Sequence, residues 1–265
     1  MKPNRQEKEF TLPDGTTVRE RILALAGRGN KQFSRSLHPG VENVLGLRVP
    51  DLRRLAQEIA RGDYAAYLDS HDTYYIEERM LHGMVLGFIP SANAKRYLSH
   101  VACFVPEINS WSVCDTFDFS GKGRFVAANS EEVRSFLLSY VDSPHEYEVR
   151  FAVVMLMAYF LGPDNWKDTV DIYERISHQG YYVKMAVAWA LSVAFVRYPA
   201  QMESRLNESR FDVETLRMTV RKIRESRRVP PEAKAAASLI LERRNKGMDQ
   251  RAYDYHDFSL PVKNL

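Results

Sequence analysis

Cysteine is scarce in this sequence, and patterns typical of β-strands are nearly absent. Its 265 residues include two cysteines, Cys103 and Cys114, too few for a disulfide framework and without the close spacing of a zinc site. We therefore expect both thiols to be reduced and to fill the core. Apart from residues 10–18, which fit a small turn, little of the sequence has the alternation of a strand.

Long hydrophobic runs are missing as well. No stretch approaches the roughly 20 apolar residues that a membrane-spanning helix needs. The N-terminal residues are polar and lead into no apolar segment of the kind that marks a secretory signal. We expect a cytoplasmic protein with no membrane partner.

Several common catalytic motifs are also absent. The sequence contains no His-Glu-x-x-His, no pair of histidines at metal-binding spacing and no Gly-x-Ser-x-Gly. Metalloprotease and serine hydrolase chemistry therefore have no support, and we expect no metal.

Positive charge is concentrated near the C-terminal end. The net charge is only +3, but residues 205–246 hold twelve lysines and arginines against six acids. This run fits a solvated helical surface and a surface that faces phosphates equally well.

Helical signals follow one another from Pro50 onward. Asp51 fits an N-cap ahead of an apolar 3/4 spacing, and residues 143–146 combine a capping serine, a proline at the first helical position and a glutamate. Residues 247–265 are polar and aromatic without periodicity, and we expect them to be loosely ordered.

An internal repeat runs through the helical region. A cationic residue followed by an apolar one recurs at residues 79–80, 150–151, 184–185 and 217–218. The first interval is about twice as long as the others, and its midpoint falls near residues 115–116, where Asp115 stands in place of the cation. A period of about 33 to 36 residues is the length of one helix–turn–helix unit, and such units stack to share a core. We predict an all-α superhelical solenoid of helix pairs.

Equivalent positions of stacked repeats lie in a row, and this row contains one acid among four cations. Its members are Arg79, Asp115, Arg150, Lys184 and Arg217. Cations along a concave surface suit a polyanion with regularly spaced phosphates. An acid beside DNA could stabilise positive charge on a sugar, as in glycoside hydrolysis. The alternative is that Asp115 only completes a capping box with Ser112.

Trp111 stands four residues before Asp115, so both side chains are expected on one helix face. An aromatic face there could stabilise a cationic sugar or base. Trp111 also fits a simple core position.

The sequence resembles the AlkD-like DNA alkylation repair family of HEAT-like-repeat DNA glycosylases. The resemblance is carried by residues 109–115, 148–152 and 183–191. Residues 47–53 and 222–226 are similar to the two ends of the family's sequence. It implies excision of positively charged N3- and N7-alkylpurines from duplex DNA, without metal or cofactor. We expect a monomer, because a solenoid that grips a duplex can act alone.

The resemblance also assigns roles to individual residues. It implies that Asp115 is the catalytic carboxylate, that Trp111 and Trp189 contact the deoxyribose and backbone around the lesion, and that Arg150 holds a phosphate. Lys184, Arg79 and Arg217 join the predicted DNA-binding residues through the repeat. A non-catalytic DNA-binding solenoid and a protein-interaction solenoid stay open as alternatives.

We predict three segments for the whole chain. Residues 1–43 form an N-terminal extension or capping segment, residues 44–246 the HEAT-like repeat solenoid, and residues 247–265 a C-terminal tail.

Overall fold

The computed structural model describes residues 10–27, 29–121 and 123–256, with side chains up to residue 244. The regular structure in these ranges is helical, which confirms the predicted all-α fold class. One isolated antiparallel bridge joins Thr11 to Thr17 and closes the small turn predicted for residues 10–18. No helix in the same ranges is long and apolar enough to cross a membrane.

The chain divides into two compact units, Met1–Tyr159 and Phe160–Leu265. The helices of the first unit are α1 (Val18–Ala26), α2 (Lys31–Leu37), α3 (Val49–Arg61), α4 (Tyr64–Ser70), α5 (Ile76–Leu86), α6 (Ala94–Phe104), α7 (Trp111–Thr116), α8 (Arg124–Ala128), α9 (Ser130–Leu138) and α10 (Glu146–Tyr159). A short 3-10 helix, Val105–Glu107, connects α6 to α7. The helices of the second unit are α11 (Trp166–Arg175), α12 (Tyr181–Arg197), α13 (Pro199–Glu208), α14 (Val213–Glu225) and α15 (Pro231–His256).

Inner helices of the first unit pack against one another in chain order. Helix α3 packs on α5, α5 on α7, and α7 on α10, while α4, α6 and α9 pack against α3, α5 and α10. Buried residues occupy nearly every position of α5 and most of α10, as expected for helices enclosed by neighbours. This alternation agrees with the helix pairs that the repeat predicts.

The second unit is built around α12. This helix packs on α11, α13 and α14, and α14 packs on α15. Nine of its residues are buried, spread around the helix from Val183 to Phe195. The apolar sequence of α12 therefore reflects burial between neighbouring helices.

The row of repeat positions keeps one register in the helices. Each of its five members is the fourth or fifth residue of a helix; the helices are α5, α7, α10, α12 and α14. The period read from the sequence thus corresponds to the successive inner helices. The superhelical solenoid itself stays a prediction.

Several local expectations need correction. Asp51 is not an N-cap, because α3 begins at Val49 with Arg48 as its cap, and Asp51 instead pairs with Arg48 and Arg54. Proline 144 precedes the helix, since α10 begins at Glu146. Cys114 is buried as expected, whereas Cys103 is exposed.

The C-terminal end of the chain differs from the sequence prediction, because α15 continues to His256, ten residues into the expected loose tail. Residues 18–43 contain α1 and α2, and the interpretation of residues 1–43 as an extension or capping segment stays a prediction. The prediction for residues 257–265 lies outside the described residues.

Candidate functional site

The candidate site is built on α7, a helix of only six residues. Its N-cap is Ser110, whose hydroxyl accepts a hydrogen bond from the Val113 amide at 3.3 Å. The capping-box interpretation of Asp115 is therefore wrong. Asp115 lies in the last turn, where its carboxylate is available for contacts outside the helix.

Asp115 forms an ion pair with Arg150, one repeat further along the chain. The Arg150 Nη2 atom donates to Oδ2 at 2.7 Å and to Oδ1 at 3.0 Å, and Nε donates to Oδ1 at 3.2 Å. A forked guanidinium bonded to both oxygens fixes the plane of a carboxylate. The Asp115 carboxylate is thus oriented by its partner.

The two members of this pair differ in exposure. The Arg150 side chain is 5% exposed, whereas the Asp115 side chain is 18% exposed. Burial alone would lower the pKa of Arg150, but the charge of Asp115 and its hydrogen bonds raise it. The arginine is therefore a fixed buried support, and the carboxylate is the member that a ligand can reach.

Aromatic packing holds the C-terminal end of α7. Phe117, the C-cap, lies 5.4 Å from the Phe104 ring and 5.4 Å from the Phe151 ring, between α6 and α10. Phe119 lies 5.2 Å from Phe117. Because these rings are buried, the residues that flank Asp115 have little freedom to move.

Trp111 is held by the N-terminal region of the chain. Its ring stacks on His38 with centroids 5.1 Å apart and an angle of 7° between the planes. Its Nε1 donates to the Leu37 carbonyl at 3.0 Å. His38 in turn lies 2.7 Å from the Ser112 hydroxyl, so three contacts join the C-terminal end of α2 to α7. The predicted contact of Trp111 with deoxyribose stays a prediction.

A buried glutamate fixes the segment that supports α2. The Glu77 carboxylate on α5 accepts hydrogen bonds from the amides of Leu45 and Gly46 at 2.6 to 3.1 Å. Gly46 adopts φ +84°, and its carbonyl accepts the Asn30 amide at 3.2 Å. The start of α2 is therefore anchored to α5 through this loop.

Two of the other predicted cations, Arg79 and Lys184, have protein contacts of their own. Arg79 Nη1 donates to the Glu107 carbonyl at 2.7 Å, and Lys184 Nζ lies 2.7 Å from Glu214 and 3.5 Å from Asp212. Arg217 is exposed on α14. Within the first unit the structure brings Asp115 and Arg150 together, while Arg79 contacts the segment leading into α7.

Trp189 lines a separate groove within the second unit. The half-buried ring shares this groove with Lys222, Arg228 and Ser226. Arg228 and the nearby Arg224 and Arg227 are exposed, whereas Arg205 pairs with Asp171 and Glu174. Up to residue 244, where side chains are described, the basic run thus includes both ion pairs and an exposed cationic edge.

The chain matches a model of a known protein family. A family model described as DNA alkylation repair enzyme matches residues 18–229. The chain belongs to this family. As a DNA alkylation repair enzyme it has a role in repairing alkylated DNA. No curated protein and no solved structure matches the chain significantly. The family match begins at α1, so it includes residues 18–43, which lie before the predicted repeats.

Two features of this repair enzyme's site were missed in the sequence. His38 had no signal, because it lies in an irregular segment 74 residues before Ser112. The Asp115–Arg150 pair did have a signal in the sequence. The two residues occupy equivalent positions 35 residues apart, and inner helices of adjacent repeats contact each other.

Proposed function

We propose that this repair enzyme is a DNA glycosylase that excises positively charged N3- and N7-alkylated purines from duplex DNA. The observation that carries the proposal is the accessible Asp115 carboxylate, held at both oxygens by the buried Arg150. Family membership supports DNA carrying alkyl damage as the substrate.

The proposed reaction breaks the bond between C1′ of deoxyribose and the purine nitrogen. An alkylated purine carries a positive charge, so the base leaves as a neutral molecule with the electron pair of that bond. The sugar is left with oxocarbenium character, as in glycoside hydrolysis. Water then adds to C1′ and loses a proton to solvent, which leaves an abasic site.

Asp115 stabilises the charge that develops on the sugar. A carboxylate whose orientation is set in advance stabilises a cationic transition state without reorganising during the reaction. Arg150 acts as a positioning residue because it fixes the plane of the carboxylate. In this proposal Arg150 serves Asp115. Its predicted phosphate contact stays a prediction, which the 5% exposure of the Arg150 side chain does not favour.

The aromatic and basic residues are proposed to hold the nucleic acid. Trp111, fixed by its stack on His38, offers a ring on the same helix as Asp115. In the second unit Trp189 is combined with Lys222 and Arg228, a pairing of aromatic and cationic groups suited to sugar and phosphate. Arg79, Lys184 and Arg217 stay predicted DNA-binding residues.

The test is incubation with duplex DNA that contains N7-methylguanine, followed by detection of the free base and the abasic site. Release by the wild-type protein should fall by about 10²-fold or more in Asp115→Asn, as for loss of a transition-state electrostatic contact. Duplex binding should persist. The matched control is Asp142→Asn, which removes an exposed carboxylate of the same unit and should leave the rate unchanged.

Asp115→Asn removes the charged partner of a buried arginine, so its fold must be verified by circular dichroism. The double variant Asp115→Asn/Arg150→Met removes both charges and provides a second inactive form. Wild-type release by either variant would refute the role of Asp115. Duplex binding by the wild type without any release would favour the non-catalytic DNA-binding alternative.

A further inference from the structure

A second cluster of ionisable side chains lies in the first unit and takes no part in the proposed reaction. His71 follows α4, His82 lies in the middle of α5, and Glu107 ends the 3-10 helix before α7. Nε2 of His71 is 2.9 Å from Glu107 Oε1, and Nδ1 of His82 is 2.7 Å from Glu107 Oε2. We call these three residues the His71–His82–Glu107 cluster.

The hydrogen bonds of His71 determine which of its ring nitrogens carries a proton. Nδ1 lies 3.1 Å from the Leu68 carbonyl, an atom that only accepts, so Nδ1 must be protonated. In a neutral ring the lone pair is then on Nε2, and it faces a carboxylate oxygen at 2.9 Å. Two electron-rich atoms at this distance need a cation between them, either a proton or a metal ion.

The donor set suits a divalent transition metal. Two imidazole nitrogens and one carboxylate oxygen form a set that binds zinc in proteins, with bond lengths of about 2.0–2.2 Å. The candidate donor atoms all lie within 4.8 Å of one another, so small side-chain rotations would bring all three within bonding distance of one ion. The Leu68 carbonyl on the remaining nitrogen of His71 is the outer contact that usually orients a metal-binding histidine.

The surroundings make the cluster rigid and partly shielded. The His82 side chain is 2% exposed, and those of His71 and Glu107 are 13% and 20% exposed. The His71 and His82 rings lie 3.9 Å apart, and Arg79 holds the Glu107 carbonyl. An ion can thus enter beside His71 and Glu107 while His82 closes the inner side.

We propose that the His71–His82–Glu107 cluster binds one divalent transition-metal ion, with Zn²⁺ as the expected ion and solvent as the remaining ligand. The ion would tie the loop after α4 and the 3-10 helix to α5, and so support the segment that leads into α7. Sequence spacing gave no signal, because the ligands are 11 and 25 residues apart on three different elements. The site is independent of the glycosylase proposal.

The experiment uses the full chain after removal of metal with a chelator and exchange into metal-free buffer. Titration with Zn²⁺ by calorimetry, and with Co²⁺ by visible absorption, should give one ion per chain. Saturating Zn²⁺ should raise Tm by about 5 °C, the shift expected when ligand is present at roughly 100 times Kd. X-ray absorption of the zinc form should show nitrogen and oxygen ligands and no sulfur.

Variants locate the ion. Glu107→Gln and His71→Asn should each weaken binding by about 100-fold or more, since loss of outer contacts alone costs 10- to 100-fold. The exposed His145→Ala and Cys103→Ser are matched controls and should bind as the wild type does. Less than one ion per chain, sulfur ligation, or unchanged binding in the cluster variants would show an adventitious ion only and overturn the proposal. The absorption spectrum of the wild type gives this answer even if a cluster variant does not fold.

Discussion

Asp115 and Arg150 form an ion pair whose two members differ in how much each needs its partner to remain stable as a charged group. The guanidinium is almost completely buried, whereas the carboxylate retains contact with solvent. Removing one partner of a buried ion pair is strongly destabilising when the charge left behind cannot reach water. The cost of breaking this pair should therefore depend on which residue is changed.

We predict that Asp115→Asn lowers the free energy of unfolding by about 3 kcal/mol, near the lower end for a broken buried pair. Arg150→Met should lower it by about 1–2 kcal/mol, because the remaining carboxylate is hydrated and methionine fills much of the space. The double variant should resemble Arg150→Met. Urea denaturation of all four proteins gives the coupling energy, and strictly additive effects would contradict this assignment of the pair.

His38 is the residue through which the N-terminal region reaches the candidate site. His38→Ala removes the stack on Trp111 and the contact with Ser112. The free energy of unfolding should fall by about 1–2 kcal/mol, the sum expected for the loss of an aromatic contact and a buried hydrogen bond.

Base release should fall more strongly in His38→Ala than duplex affinity does, because Trp111 loses its fixed orientation. The measurement is kcat/KM for methylpurine release beside Kd for undamaged duplex. Gln32→Ala, an exposed change on α2, the helix that His38 caps, is the matched control and should affect neither quantity. Equal losses of kcat/KM and Kd would indicate that His38 serves binding in general.

At the scale of elements, α2 is positioned by a close approach of two backbones. A Cβ added to Gly46 would lie 2.6 Å from the Lys31 Cα and 2.7 Å from the Asn30 carbonyl carbon. Gly40 has nearly the same dihedral, φ +82° against +84°, but has nothing within 4 Å of an added Cβ. Substitutions at the two glycines can therefore distinguish the free-energy cost of the left-handed dihedral from the cost of the backbone contact.

We predict that Gly40→Ala lowers the free energy of unfolding by about 1 kcal/mol, the cost of the left-handed conformation alone. Gly46→Ala should cost about 3 kcal/mol, because the backbone of α2 must also shift. Hydrogen exchange should show faster opening of α2 in Gly46→Ala only. Equal effects of the two changes would mean that the approach to Lys31 does not hold α2.

The elements also show which parts of the site the sequence can predict. Helix periodicity is local, so the inner helices and the common register of Arg79, Asp115 and Arg150 followed from spacing alone. Contacts of irregular segments are not periodic, which is why the role of His38 and the presence of α1 and α2 in residues 18–43 were missed. Helix caps were predicted from short motifs. These predictions were wrong at Asp51 and Asp115, where ion pairs determine the position of the side chain.

At the scale of the whole molecule, the net charge of +3 is too small to account for duplex binding by itself. The proposed binding of duplex DNA must then depend on where the cations of the chain lie. Many of them are paired with acids: Arg150 with Asp115, Lys184 with Glu214, and Arg205 with Glu174. The exposed cationic edge of the second unit, beside Trp189, is the better source of phosphate contacts.

This distribution can be tested with two variants of equal charge. Lys222→Ala/Arg228→Ala and Lys95→Ala/Arg96→Ala each remove two positive charges and take the net charge from +3 to +1. The first pair lines the groove of Trp189, and the second is exposed on α6. Each lost phosphate contact reduces the slope of log affinity against log salt by about 0.9. Titrations of duplex DNA at several salt concentrations should therefore give a slope about 2 units shallower for the first variant and little change for the second. If both variants changed the slope equally, binding would follow overall charge, and the groove beside Trp189 would have no special role in holding DNA.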